Sequence, residues 1–210
     1  MTALVYLHGF SSAPGGSKGS FCRRWAEARG IPFLAPDLNL PSFESLTVTA
    51  QVEAVEALLR TLPEPPVLAG SSLGGFIATA VAHGGAKLGS LLLLAPAIGF
   101  AARRMASPVW ADYRARGEAQ VYHYGQQRLV RLGPALRGDL PEWMDDGTWR
   151  VQVPATILHG RHDEAVPLSE SEGFVARNPG ATLHILEDDH GLLASASLAL
   201  LARVLEEAFP

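Results

Sequence analysis

The fold is decided by Pro66-Val67-Leu68-Ala69-Gly70-Ser71-Ser72-Leu73-Gly74-Gly75, followed by Phe76-Ile77-Ala78-Thr79-Ala80-Val81-Ala82. An apolar run enters a glycine–serine turn and leaves in a helix-forming segment. That pattern predicts strand, sharp turn and helix, with a serine at the apex. Gly70 to Gly74 fit G-x-S-x-G, and the spacing to both glycines selects Ser72 over Ser71. A turn this tight forces the apex residue into a strained backbone conformation. Side chains at Gly70 and Gly74 would collide with the turn or its neighbours, and Gly75 lets the helix pack closely on the sheet. An ordinary Gly/Ser loop could carry the same five residues, so the motif has to be confirmed by partners elsewhere.

Outward from this stretch, the chain alternates apolar strands with helical segments. Ala3 to Leu7, Ile31 to Ala35, the run ending at Ala69, Leu91 to Ala95, Pro154 to Leu158 and Thr182 to Leu186 read as six strands. Their near-continuous apolar character suits strands buried on both faces, as in parallel sheets. Helices are expected from a cap at Ser17 to Gly30, from Ser45 or Thr47 to Pro63, after the elbow, over Pro167 to Val175, and over Leu192 to Phe209. Short links between alternating strands and helices argue for an α/β fold with helices on both faces of a mostly parallel sheet. In such sheets ligands gather at the carboxyl ends of the strands. The polar residues just past the strand ends are His8, Asp37, Ser72, His159 to Asp163, and Asp188 to His190.

A serine hydroxyl needs a base to take its proton, and the base needs a carboxylate to fix its tautomer. Asp163 follows the fifth strand and His190 follows the sixth, which places Ser, Asp and His in the chain order of the strand–elbow–helix hydrolases. Glu164 could stand in for Asp163, although Asp163 is nearer the strand end. Asp188 or Asp189 could orient His190 instead, but both suit a turn and the start of a helix. His162 reads as an exposed loop residue, and His159 and His184 as structural histidines. The oxyanion that forms in acyl transfer needs two backbone N–H donors. Leu73, at the start of the elbow helix, is one candidate. Phe10, in His8-Gly9-Phe10, is the other, with Gly9 permitting close approach and His8 packed beneath.

These segments resemble the α/β-hydrolase superfamily over nearly the full chain. The residues that carry the resemblance are Leu7-His8-Gly9-Phe10, Gly70 to Gly75, Leu158 to Pro167 and Asp189-His190. The size and the opening His8-Gly9-Phe10-Ser11-Ser12 look most like small bacterial serine esterases of the YqiA type. The resemblance implies Ser72, Asp163 and His190 as a catalytic triad, with Phe10 and Leu73 as oxyanion donors. It matches Lys18 to a first-loop lysine, read here as structural or rim-polar. The two leading strands of larger hydrolases are missing, leaving about six.

The chain of 210 residues is expected to form one domain, 1–210, with an insertion at 97–150 between the fourth and fifth strands. With 48% apolar and 18% charged residues and a net charge of −4, the composition argues against disorder and gives no case for a nucleic-acid partner. The single Cys22 excludes an internal disulfide or a cysteine metal cluster. The histidine spacing offers no metal-ligand motif, so neither metal nor cofactor is expected. A strand begins almost at once, without the pattern of a signal peptide, and no apolar run approaches a membrane span. A cytoplasmic chain without a membrane partner is the expectation, its oligomeric state left open.

The insertion holds three of four tryptophans, three of four tyrosines and eight of fifteen arginines. Helices are expected around Pro108 to Arg116 and Gln126 to Leu132. In this superfamily such an insertion forms a lid. Most of its aromatics are expected to anchor it and its arginines to be solvated, with Trp110 and Met144 as candidates for lining the substrate pocket. The activity this implies is hydrolysis of carboxylic esters with small to medium acyl groups. Thioesterase or peptidase activity is the alternative within the class, and a non-catalytic ligand-binding protein on the same fold the alternative outside it.

Overall fold

A computed structural model describes residues 1–145 and 147–209. In chain order the elements are β1 (Leu4–Leu7), α1 (Ser17–Glu27), β2 (Phe33–Leu34), α2 (Val48–Arg60), β3 (Val67–Ser71), α3 (Leu73–His83) and β4 (Ser90–Leu94). An inserted segment follows with α4 (Phe100–Ala106), α5 (Ala111–Arg116), β5 (Ala119–His123), β6 (Arg128–Leu132) and α6 (Ala135–Asp139). The chain closes with β7 (Ala155–Gly160), α7 (Leu168–Arg177), β8 (Ala181–Leu186) and α8 (Ser195–Ala208). Six strands make one sheet in the order β2-β1-β3-β4-β7-β8, every pairing parallel. This is the expected α/β-hydrolase fold with its reduced sheet.

The apolar strands divide by alternation into two cores. Val5, Leu7, Leu68, Leu91, Leu93 and Ile157 face one way, with α2 and α3. Leu4, Tyr6, Val67, Ala69, Leu92, Leu94 and Leu158 face the other, with Cys22 and Trp25 of α1 and Leu201, Val204 and Leu205 of α8. Successive side chains point to opposite faces, so an uninterrupted apolar strand is what covering both faces demands. Cys22 is fully buried, a small apolar filler in the second core.

Several local expectations change. Ser17 is the first residue of α1, and the cap position is Gly16. Thr47, not Ser45, caps α2, its Oγ1 accepting from Ala50 N–H at 3.1 Å. The expected helix over Gln126 to Leu132 is instead a turn and β6, paired antiparallel with β5 from Ala119↔Leu132 to His123↔Arg128. Val121 and Val130 sit opposite each other, and Tyr122 opposite Leu129. β-branched and aromatic cross-strand pairs outweigh the helical spacing of so short a segment. The expected helix over Pro108 to Arg116 is present as a 3-10 turn continuing into α5.

The inserted segment is fastened by polar and aromatic contacts to α2 and α3 and braced by a hydrogen bond of its own. Asp139 accepts from Val48 N–H at 2.6 Å and Thr49 N–H at 3.1 Å, a carboxylate on the N-terminus of α2. Trp143 donates to Thr49 Oγ1 at 2.9 Å, and Trp149 stacks on Phe76 with ring centroids 5.3 Å apart. Tyr113 donates its hydroxyl proton to the Gly133 carbonyl at 2.9 Å. These aromatics anchor the segment, as expected for most of them. Of its arginines, Arg116, Arg128, Arg131 and Arg150 are exposed as expected, whereas Arg103 pairs with Glu170 and Arg114 ends on the carbonyls of Arg104 and Ser107.

Candidate active site

The nucleophile turn has the geometry its sequence demands. Ser72 lies at φ 54° and ψ −117°, a conformation rare for a residue with a side chain. Ser72 N–H donates to the Leu94 carbonyl, and its own carbonyl accepts from Phe76 and Ala97 N–H, so the strained residue is pinned on every backbone group. A Cβ on Gly70 would stand 2.3 Å from the Gly74 carbonyl oxygen, and one on Gly74 2.1 Å from that of Leu7. No side chain fits at either position, because the turn closes on itself and on β1.

Asp163 and His190 meet although 27 residues separate them. His190 Nδ1 stands 2.7 Å from Asp163 Oδ2, and the Asp163 side chain is fully buried. The β8–α8 loop packs directly on the end of β7, where a Cβ on Gly160 would stand 2.4 Å from the carbonyl oxygens of Asp188 and Asp189. Asp163 Oδ1 accepts from Ala165 and Val166 N–H at 2.9 and 2.8 Å. Burial alone would raise the carboxyl pKa; the hydrogen bonds from His159, His190 and Val166 N–H outweigh it and hold the group well below the usual carboxylate range. The acid is therefore a carboxylate at any working pH, able to hold the imidazole and balance its charge.

The competing assignments separate cleanly. Glu164 is exposed. Asp188 accepts from Ala194 N–H and the Ser197 hydroxyl at the start of α8, and Asp189 accepts from Gly191 N–H. His162 is exposed and pairs with Glu187. His159 is buried: its Nδ1 meets the Ser171 hydroxyl at 2.7 Å, and its Nε2 lies 3.1 Å from the Val166 carbonyl and 3.3 Å from Asp163 Oδ2. It is thus a satisfied structural histidine that also backs the carboxylate, a role no local pattern reveals.

Ser72 and His190 line one groove of about 240 Å³ with Gly9, Phe10, Lys18, Tyr124 and Leu193. Among the described residues no hydrogen bond joins Ser72 Oγ to His190; catalytic bonds of this kind often close only when substrate engages. Gly9 approaches so closely that a Cβ there would stand 3.3 Å from Ser72 Cβ. Among the described residues neither Phe10 N–H nor Leu73 N–H has a hydrogen-bond acceptor. His8 explains how the first of these donors is aimed. Leu38 N–H donates to His8 Nε2 at 2.9 Å, which leaves the ring proton on Nδ1, and Nδ1 donates to the Gly9 carbonyl at 2.9 Å. In a trans peptide the Phe10 N–H then points the opposite way.

Lys18 fastens the turn at His190 and Gly191. Its Nζ donates to the carbonyls of His190 and Gly191 at 3.0 and 2.9 Å. Burial pushes its pKa down to about 8 against the opposing pull of Asp163, Asp189 and Asp188. The groove walls differ from expectation. Met144 is exposed, and Trp110 packs edge-on against Phe10 with ring centroids 6.1 Å apart; neither lines this groove. Tyr124 and Leu193 do. Tyr124 arrives at the tip of the unexpected hairpin, where its N–H donates to the Ser11 carbonyl at 2.7 Å. A larger cleft of about 620 Å³ lies at the opposite edge of the sheet, lined by residues such as Glu56, Arg60, Glu64 and Lys87, far from any nucleophile or base.

Known proteins place the chain in a family. The model of the uncharacterised protein family UPF0227 matches residues 3–193, and the chain belongs to it. No curated protein matches it in sequence. Among solved structures it is similar to α/β hydrolase domain-containing protein 10 from mouse, with 23% identity, TM-score 0.81, and coverage of 98% of this chain and 88% of that one. It is also similar to a putative hydrolase from Agrobacterium vitis S4, with 21% identity, TM-score 0.85, and coverage of 100% and 88%. Est1E from Butyrivibrio proteoclasticus, solved with ferulic acid bound, gives 19% identity, TM-score 0.78, and coverage of 99% and 87%. These likenesses establish the α/β-hydrolase fold. Among the described residues, no group of three or more His, Cys, Asp or Glu could hold a metal ion, and no helix is long and apolar enough to cross a membrane.

Proposed function

We propose that the chain is a serine hydrolase cleaving small-molecule carboxylic esters of small to medium acyl groups through an acyl-enzyme. The observation that carries this reading is the buried Asp163 carboxylate 2.7 Å from His190, in a groove shared with the strained Ser72. Ser72 Oγ attacks the ester carbonyl carbon while His190 Nε2 takes its proton, and Asp163 balances the imidazolium. The carbonyl oxygen becomes negative and accepts from Phe10 and Leu73 N–H, preorganised donors that need no rearrangement as charge develops. The tetrahedral species collapses, the bond to the alcohol oxygen breaks, and the His190 proton passes to the leaving alcohol. Water then attacks the acyl group with His190 as base, releasing the acid and restoring Ser72.

The test is labelling by a fluorophosphonate, which phosphonylates an activated serine. The wild type is expected to label and Ser72→Ala is not. A wild type that stays unlabelled, or an alanine variant that labels equally, would sink the catalytic reading. A series of nitrophenyl esters and acyl thioesters then ranks the leaving groups.

A further inference from the structure

Arg104 of α4 is a largely buried cation whose guanidinium meets no acceptor among the described residues. Its Nε and Nη1 are buried without a hydrogen-bond partner among the described residues. Its neighbours Arg103 and Arg114 end on a carboxylate and on carbonyls. Three rings lie against Arg104: Cζ stands 3.7 Å from the centroid of Trp110, 4.1 Å from Phe10 and 4.5 Å from Phe100. Burial pushes its pKa down to about 9, with Arg103 adding repulsion and Tyr113 opposing. The group therefore stays charged at neutral pH.

Aromatic faces attract a guanidinium but offer its in-plane N–H groups nothing to bond to. A buried charge with unsatisfied donors is costly, and each such group in a folded protein calls for an explanation. The residue is not sealed off, since it keeps partial solvent exposure. Phe10 joins it to the chemistry: the residue whose N–H is a candidate oxyanion donor lays its ring against Arg104. Arg104 and Trp110 do not line the groove that holds His190, Tyr124 and Leu193. In the proposed reaction His190 protonates the leaving alcohol, which assigns that groove to the alcohol and the Arg104 side of Phe10 to the acyl chain.

We propose that Arg104, framed by Phe10, Phe100 and Trp110, is an anion subsite for a carboxylate at the far end of the substrate's acyl group. The substrates are then half-esters of dicarboxylic acids, and the planar guanidinium receives the carboxylate through charge-assisted hydrogen bonds. This deepens the ester-hydrolase reading and rests on it.

The experiment compares mono-nitrophenyl glutarate, which has a free carboxylate, with its methyl ester. Wild type is expected to favour the free acid in kcat/KM by about tenfold or more, the scale of one charge-assisted hydrogen bond. Arg104→Met should bring the ratio near one and Arg104→Lys should keep part of it. A wild-type ratio near or below one overturns the subsite without any variant. So does a preference that Arg104→Met retains. Calorimetry of the half-ester on Ser72→Ala, against Ser72→Ala/Arg104→Met, reads the same contrast without turnover. Weaker binding by the double variant supports the subsite even if the enzyme fails to label with fluorophosphonate; equal binding overturns it. Hydrolysis of both esters at equal rates leaves the hydrolase standing and removes the subsite alone.

Discussion

Two buried charges in this molecule are treated in opposite ways. Asp163, at the end of β7, is surrounded by donors: two backbone N–H groups, His190, and His159 behind it. Arg104, in the inserted segment, lies against three rings and has no acceptor among the described residues. A charge satisfied by the protein itself is held in one state and one place, which suits a group that must orient a base through every cycle. A charge left open by the protein is free to take its partner from outside. In the proposed function the difference separates machinery that is complete within the chain from recognition that waits for a ligand.

The largest expected effect comes from breaking the satisfied side. Asp163→Asn keeps the shape but presents a neutral amide to His190 Nδ1, and steady-state kinetics should show kcat falling on the order of 10⁴-fold. A loss below tenfold would mean that another acid orients the base.

Next comes the support of the oxyanion donor. His8→Leu keeps the bulk of the ring but releases the Gly9 carbonyl, so the Phe10 N–H loses its aim. A kcat loss of about 10² to 10³ with little change in KM is the scale of one lost oxyanion donor. A variant with normal kcat would reduce His8 to packing.

The smallest effect belongs to Lys18→Met, which removes the clamp on the His190–Gly191 turn while the triad stays intact. Activity is expected to fall by about tenfold, the cost of a base held less firmly. The variant also sharpens the comparison through pH. The folded Lys18 pKa, about 8, lies below the unfolded 10.5, so between these values the unfolded chain binds more protons. Stability from this group therefore rises with pH across that window. Denaturant titrations from pH 8 to 10 should show wild type gaining stability relative to Lys18→Met; parallel curves would mean that the ammonium is not buried as described.

How much of the site was legible depends on how local its cause is. The elbow could be read because glycines and serine sit within one turn, and the clash of a Gly70 side chain with Gly74 is written into that spacing, whereas the clash of Gly74 with Leu7 comes from β1. Asp163 and His190 could be read because both follow apolar strands, and strand ends in a parallel sheet converge. The hairpin departs from the expected helix although Val121, Tyr122 and Val130, on either side of Gly125, are β-branched or aromatic. A short segment can satisfy either period, and cross-strand partners choose between them.

The sequence by itself determined the parallel sheet, its two apolar faces, the apex serine and the order of its partners, because alternation, glycine punctuation and strand-end placement act within a few residues. Only the tertiary structure decided which histidine backs Asp163, that Tyr124 and Leu193 wall the groove, that Lys18 reaches carbonyls 172 and 173 residues away, and that Arg104 is left without an acceptor among the described residues. Whether a polar side chain is satisfied is a property of everything packed around it, and no stretch of chain carries that information alone.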